Sequence, residues 1–433
     1  MTTVSATAAP RPLMILRLLL GRGAFRGSAQ VMQFALVAVW GTLNYGPFAN
    51  ALGACAWLVF VPTAAEKSAL KVIPRANATR DAIAGLSLRF AAAPVLLVVL
   101  ALLGGLVIAP DSPATLYLAA ACWHACTGLL MTVSGLNRLQ GKPSLDALAF
   151  GAGAVLVVGA TLATWLGGWS PRTLLLVLVA GLGVLVLAAV LRLPTAWVRP
   201  EPVRRRGLLP AFGRTTWLLG VSELFDAFSV SLVFLVLAAS GRVSDSGPFY
   251  LALMSSSVFC SFLLYQLKLH QPRTSARLRG EGAAHGRARA ASLMRAAERA
   301  GLAFAVLLAA GLALPPVREV LLADAGLTVW LVLGVLVLIE MAMAITLIYA
   351  TYLLENTNSR ILTSTSAAAV VRLAATAALA IALVPPLGAV GGFAAITLAL
   401  SVEAWSLRRM LLRHHPELHP PATSRTADPT PTP

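Results

Sequence analysis

At 433 residues, 58% hydrophobic and only 12% charged, with a mean hydropathy of +0.80, the chain is far greasier than a soluble protein. Soluble chains average about 45–50% apolar and about 25% charged. A net charge of +17 does not point to nucleic acid, because the basic residues sit in breaks between apolar runs rather than in one aromatic-rich patch. The composition specifies an all-α polytopic membrane protein.

In chain order, residues 1–26 carry Arg11, Arg17, Arg22 and Arg26 and read as a basic interfacial segment. The apolar run 13–20 is interrupted by Arg17 and lacks a small-residue cleavage site, so no cleavable leader is expected. A span needs about 20 mainly apolar residues. Twelve stretches qualify: 27–44, 47–65, 89–109, 114–136, 146–167 and 172–191, then 215–239, 247–268, 299–318, 326–353, 361–384 and 387–407. Asn44-Tyr45-Gly46-Pro47 places a turn after the first of them. The predicted organisation is an N-terminal lobe (27–191), a hinge (192–214), a C-terminal lobe (215–407) and a proline- and threonine-rich tail (408–433) without apolar periodicity.

The hinge is the densest break, with Arg192, Arg199, Arg204, Arg205, Arg206 and Arg214 among prolines 194, 200, 202 and 210. Proline opposes a continuous helix and arginine resists hydrocarbon. With a cytoplasmic amino terminus, thirty Lys and Arg fall on the inner side. Arg172, Arg242 and Arg318 fall opposite, and Arg372 lies inside a span. That asymmetry places both termini and the hinge in the cytoplasm. Arginine outnumbers lysine heavily, which fits a high-GC bacterial genome, so a bacterial plasma membrane is expected, and hinge arginines are expected to meet anionic membrane lipids.

Internal echoes suggest a repeat. Tyr45-Gly46-Pro47-Phe48 matches Ser246-Gly247-Pro248-Phe249 at an offset of 201, which also maps Lys67 onto Lys268. Ala24-Phe25-Arg26 is echoed by Ala211-Phe212-Gly213-Arg214. Six spans per half leave the two lobes in the same orientation, related by an axis along the membrane normal.

Buried polarity is costly in a membrane and marks candidate function. Glu223 and Asp226 lie three apart on one helix face, where they could carry a proton or ligate a cation. Glu340 and Arg372 also fall within spans, and Arg372 could pair with an acid or meet an anionic substrate. Gln33 and His124 are further cavity candidates, each with a plain structural alternative. Glu403 reads as interfacial, and Trp40, Trp57, Trp123, Trp165, Trp217 and Trp330 include candidates for the aromatic belt. Cys55, Cys122, Cys126 and Cys260 read as small core residues; no metal site or cofactor is expected. Motifs for nucleotide hydrolysis, zinc chemistry or an esterase-type nucleophile are missing, so the chain is not expected to be an enzyme.

Gly27, the turn at Asn44-Tyr45-Gly46-Pro47-Phe48 and the Glu66-Lys67…Lys71…Arg75 segment resemble the multidrug/oligosaccharidyl-lipid/polysaccharide exporter superfamily, most closely its polysaccharide-type flippases. The turn departs from the flippase pattern in lacking a leading Leu-Gly and in carrying Pro47. The resemblance implies alternating access between two lobes and export of a lipid-linked sugar, with ion coupling (H+ or Na+) falling on Glu223 and Asp226. Cavity arginines would hold the pyrophosphate, and here only Arg372, with Arg89 or Arg299 at the mouth, could serve. The alternatives are a cation-coupled antiporter of drugs or other amphipathic small molecules, and a membrane enzyme or assembly scaffold. A major facilitator is disfavoured because the loop after the second span does not fit that class.

Overall fold

A computed structural model describes residues 12–73, 76, 79–199, 207–277, 327–357 and 362–414, together with 292, 295–296, 298–303, 306–307, 310 and 313–315. Among these there is no strand. The helices are α1 (Pro12–Cys55), α2 (Phe60–Val72), α3 (Arg80–Ile108), α4 (Pro113–Leu139), α5 (Pro143–Gly167), α6 (Pro171–Val190), the short α7 (Thr195–Val198), α8 (Leu208–Ala239), α9 (Ser246–Arg277), α10 (Leu327–Thr357) and α11 (Leu362–His414). A 3-10 turn, Ala56–Val59, joins α1 to α2. Eight described stretches are long and apolar enough to cross a membrane. Most of the expected ninth span, the hinge arginines 204–206 and most of the tail lie outside the described residues.

Two helices contain two spans each. α1 is broken at Gly41 (φ +72°, ψ 166°), a backbone state that disfavours any side chain, and the Asn44 amide donates to the Trp40 carbonyl at 3.2 Å. The turn expected at 44–47 therefore lies three residues earlier, and Pro47 is tolerated near the start of the next limb, where few amide donors are needed. α11 is broken at Gly388 (φ +56°), just after Pro385-Pro386, at the gap expected between the last two spans. No break separates 1–26 from the first span: helix runs from Pro12 through Gly27, burying Leu18 and Phe25. α3 likewise starts at Arg80, nine residues before the expected Arg89. Elsewhere caps set the ends: the Ser112 and Ser170 hydroxyls accept from Ala114 N and Thr173 N, each beside a proline at the first helical position.

Hydrogen bonds sort the bundle into two ends. At the basic end, Arg80 donates to the Leu139 carbonyl at 2.9 Å, and the Trp197 indole in the hinge donates to Asp81 at 2.7 Å. At the far end, the Trp40 indole donates to the Trp169 carbonyl, and the turns of the two halves touch. Gly46 abuts the backbone of Val243 and Ser244, and Gly247 abuts the Tyr45 ring. These are the turns linked by the 201-residue echo. Two of the three arginines placed opposite the basic end are paired, Arg172 with Asp111 at 2.8 Å and Arg242 with Asp245 at 3.3 Å. The far end thus carries even less uncompensated positive charge than the count of arginines implies.

Candidate functional site

The second span, Asn44–Val72, and α8 run antiparallel along the seam between the lobes. Asn50 donates to the Phe234 carbonyl and to Ser246 Oγ, both at 2.8 Å, and Ser231 donates to the Gly53 carbonyl at 2.8 Å. Trp57 meets Phe228 edge to face at 5.7 Å, and Gly220 packs on Ala64. Nearest the basic end, Lys67 Nζ reaches Glu223 Oε1 at 2.6 Å and the Leu219 carbonyl at 3.3 Å. The far end of the seam is tightly packed, with residues 48–54 buried throughout. The middle is not: Cys55–Val61 on one side and Glu223–Phe228 on the other are half-buried without interruption.

The open middle coincides with a local defect in the helix. Pro62 has no amide hydrogen to give the Leu58 carbonyl, and the chain there takes the 3-10 turn Ala56–Val59. The Thr132 hydroxyl secures the following turn, 2.9 Å from the Pro62 carbonyl. Trp57 is consequently a seam residue in mid-span and not a belt residue, and Trp123, buried in the core, is not one either.

The charged group of the C-terminal lobe borders this opening. Arg372 on α11 directs one nitrogen, Nη1, at both Asp226 Oδ1 (3.1 Å) and Glu403 Oε2 (3.2 Å). Of its partners, Glu403 is sealed at 3% exposure while Asp226 is 30% exposed. Glu340 on α10 is buried within electrostatic reach of Arg372. One guanidinium thus faces three carboxylates. Hydrogen bonding is also incomplete. Asp226 Oδ1, for all its closeness to Arg372, has no aligned hydrogen-bond partner among the described residues. Nor do Arg372 Nε, Glu340 Oε2 and Thr376 Oγ1, one turn beyond Arg372. Each such buried atom costs on the order of 1–3 kcal/mol. Among the described residues the group is short of positive charge and of donors, the condition a proton or small cation relieves.

Of the residues picked from sequence, the structure brings Asp226, Glu340 and Arg372 together and sets Glu223 alongside, bonded across the seam. Glu403, read as interfacial, belongs to the group: it projects from α11 onto Arg372. Gln33 and His124 stand apart from it. Gln33 accepts from the Tyr45 hydroxyl at 2.9 Å, and the His124 imidazole donates to the Leu52 carbonyl at 2.9 Å, so both bind within the N-terminal lobe.

Sequence reasoning missed a second charged group in that lobe. Arg22 grips Asp146 with two bonds of 3.1 and 3.2 Å and lies 4.7 Å from the Phe150 ring centre. Arg138 reaches Glu66 at 2.7 Å and Asp146 at 3.0 Å. Two arginines face two acids that are only 3% and 0% exposed. The available signal was Asp146 in the first turn of α5, shortly after Arg138 and Lys142; a buried acid beside a basic loop calls for a partner.

No family model matches the sequence, and neither does any curated protein. Solved structures do. An outward-facing conformation of a multidrug resistance MATE family transporter of the MOP superfamily superposes with a TM-score of 0.64 at 14% identity, covering 94% of this chain and 96% of that one. An inward-facing conformation of a multidrug resistance MATE family transporter gives 0.55 at 14% identity, covering 93% and 94%. The MATE multidrug transporter DinF-BH, solved as a complex, gives 0.62 at 14% identity, covering 95% and 97%. The MOP superfamily is the multidrug/oligosaccharidyl-lipid/polysaccharide grouping that the sequence resembles, and these neighbours come from its multidrug branch. The chain has the fold of the MATE transporters, with about 12 membrane helices in two lobes.

Proposed function

We propose that the chain is a secondary-active antiporter that exchanges an amphipathic, cationic small molecule for H+ or Na+ by alternating access. The observation that carries this reading is the unequal group in the C-terminal lobe: Arg372 is shared by sealed Glu403 and open Asp226, with Glu340 in reserve. A cation arriving through the seam meets Asp226 first and competes with Arg372 for it, while Glu403 keeps the guanidinium from leaving. Trp57, Phe60, Phe225 and Phe228, in the half-buried middle of the seam, supply the apolar and aromatic surface such a substrate needs. The Lys67–Glu223 bridge holds the lobes together on the basic side and has to break for that side to open. The coupling ion and substrate would thus share one acidic surface and exclude each other.

The charge asymmetry supports a bacterial plasma-membrane location with the basic end, and hence both termini, in the cytoplasm. A lipid-linked sugar is the weaker reading. Its pyrophosphate calls for free cavity arginines, and Arg372 is committed to two carboxylates. The enzyme and scaffold readings draw no support from the structural neighbours, which are transporters.

The test is export of a lipophilic fluorescent cation from cells expressing wild type, Asp226→Asn or the double variant Glu223→Gln/Asp226→Asn. Loss of export at unchanged protein levels is expected; unchanged export would sink the coupling role of these acids.

A further inference from the structure

The last turns of α11 carry a charged surface that antiport does not use. Trp405, Arg408, Arg409, Leu412 and Arg413 line a groove of about 500 Å³ at the basic end. The three arginines are exposed, and none has an ion-pair partner among the described residues. At about 100° per residue these five positions share one arc of the helix. The same arc continues toward the membrane centre through Val402 and Leu398, which are 57% and 52% exposed, with Trp405 at 61%. In a membrane helix, that stripe faces acyl chains.

We infer that this groove is a binding site for the headgroup of an anionic phospholipid, its acyl chains lying along Leu398, Val402 and Trp405. The Arg409 guanidinium carbon lies over the Trp405 ring, 5.3 Å from its centre, and the side chain is exposed. Arginine forks match phosphate oxygens in pairs, and three of them around one groove match a diester carrying a net negative charge. A zwitterionic headgroup would bring an ammonium into the same positive field. The hinge, where sequence alone places lipid contact, has its triple-arginine run outside the described residues. The site has a structural consequence as well. Glu403 projects from the opposite face of this helix, two residues before Trp405, so an occupied groove would steady the helix that presents Glu403 to Arg372.

The experiment is native mass spectrometry and thermal unfolding of the full chain in neutral detergent, titrated separately with phosphatidylglycerol, phosphatidylcholine and inorganic phosphate. Phosphatidylglycerol should bind selectively and raise the unfolding midpoint. Each arginine near the surface contributes about fivefold in affinity, so Arg408→Gln/Arg409→Gln/Arg413→Gln should lose on the order of a hundredfold. Lys142→Gln/Arg192→Gln/Arg199→Gln removes the same charge from exposed positions on other elements of the basic end and should lose about twofold or less. Equal loss in the two triple variants would mean diffuse electrostatics and overturn the site. So would equal binding of the two lipids, or displacement of phosphatidylglycerol by millimolar phosphate.

Discussion

The two lobes share an architecture but bury their charges differently. In the N-terminal lobe two arginines face two acids near the basic end, with acids at 3% and 0% exposure, and Arg138 Nε lacks an aligned hydrogen-bond partner among the described residues. In the C-terminal lobe one arginine serves three acids near the middle of the bundle, and Asp226 stays 30% exposed. The echo before the first span of each half sharpens the contrast. Carried along it, the equivalents of Glu223 and Asp226 are Ala35 and Ala38, or Leu36 and Val39 one register away. A balanced, sealed set is a lock; an unbalanced, open one is a place for an incoming charge. If the two halves are the repeat that the echoes suggest, the proposed coupling chemistry belongs to only one of them.

The comparison breaks first at its strongest point. Removing one partner of a buried ion pair costs about 3–5 kcal/mol, because the other charge is stranded. Asp146→Asn should therefore destabilise the protein by about that amount, seen as a lower unfolding midpoint and reduced monodisperse yield. Asp226→Asn removes an excess charge from a group already short of cations and should leave both unchanged or improved. Equal destabilisation by the two would erase the distinction between lock and site.

Arg372→Met should be nearly as damaging as Asp146→Asn, since it strands Glu403, which is 3% exposed. Neutralising the acids as well, in Arg372→Met/Asp226→Asn/Glu403→Gln, should recover most of that stability while transport stays lost. A triple variant no more stable than the single one would show that Arg372 holds the lobe by packing and not by charge.

The Lys67–Glu223 bridge is 16% and 20% exposed and should count for less, about 1 kcal/mol. One turn beyond Lys67, half-buried Leu70 reports on the basic side of the seam. In a Leu70→Cys background free of other cysteines, Lys67→Met should raise the alkylation rate by roughly fivefold as that side opens more often. An unchanged rate would remove the bridge from the gate. Smallest of all is Gln33→Leu/Tyr45→Phe, which deletes both sides of one buried hydrogen bond. Such paired deletions are close to neutral, so transport should stay within about twofold of wild type.

Much of the fold was legible because hydropathy and proline report directly on helices in a membrane. A gap at Pro385-Pro386 was legible from residue type alone, two residues before the observed break at Gly388, and pairing with an acid was one of the two readings open for Arg372. What escaped depended on position in space. Glu403 lies five residues before Arg408 and so looked interfacial, yet α11 turns it inward onto Arg372. Trp57 counted among the belt candidates although it falls near the centre of the expected span 47–65; its packing on Phe228 across the seam is a tertiary contact that leaves no mark in the sequence. Asp146 and Glu66 sit beside basic loops, where an acid reads as solvated; only folding shows Arg22 and Arg138 closing over them. The turn at Gly41 was displaced because Asn44 and Pro47, both strong turn residues, proved compatible with the start of a helix.

Coupling of ion movement to substrate movement through Asp226 is read out by transport in proteoliposomes. Wild type should accumulate a lipophilic cation against its gradient when an opposing proton or Na+ gradient is imposed. Asp226→Asn should retain downhill exchange of the same cation and lose the gradient-driven accumulation. Full accumulation by Asp226→Asn, at equal reconstitution, would contradict the account.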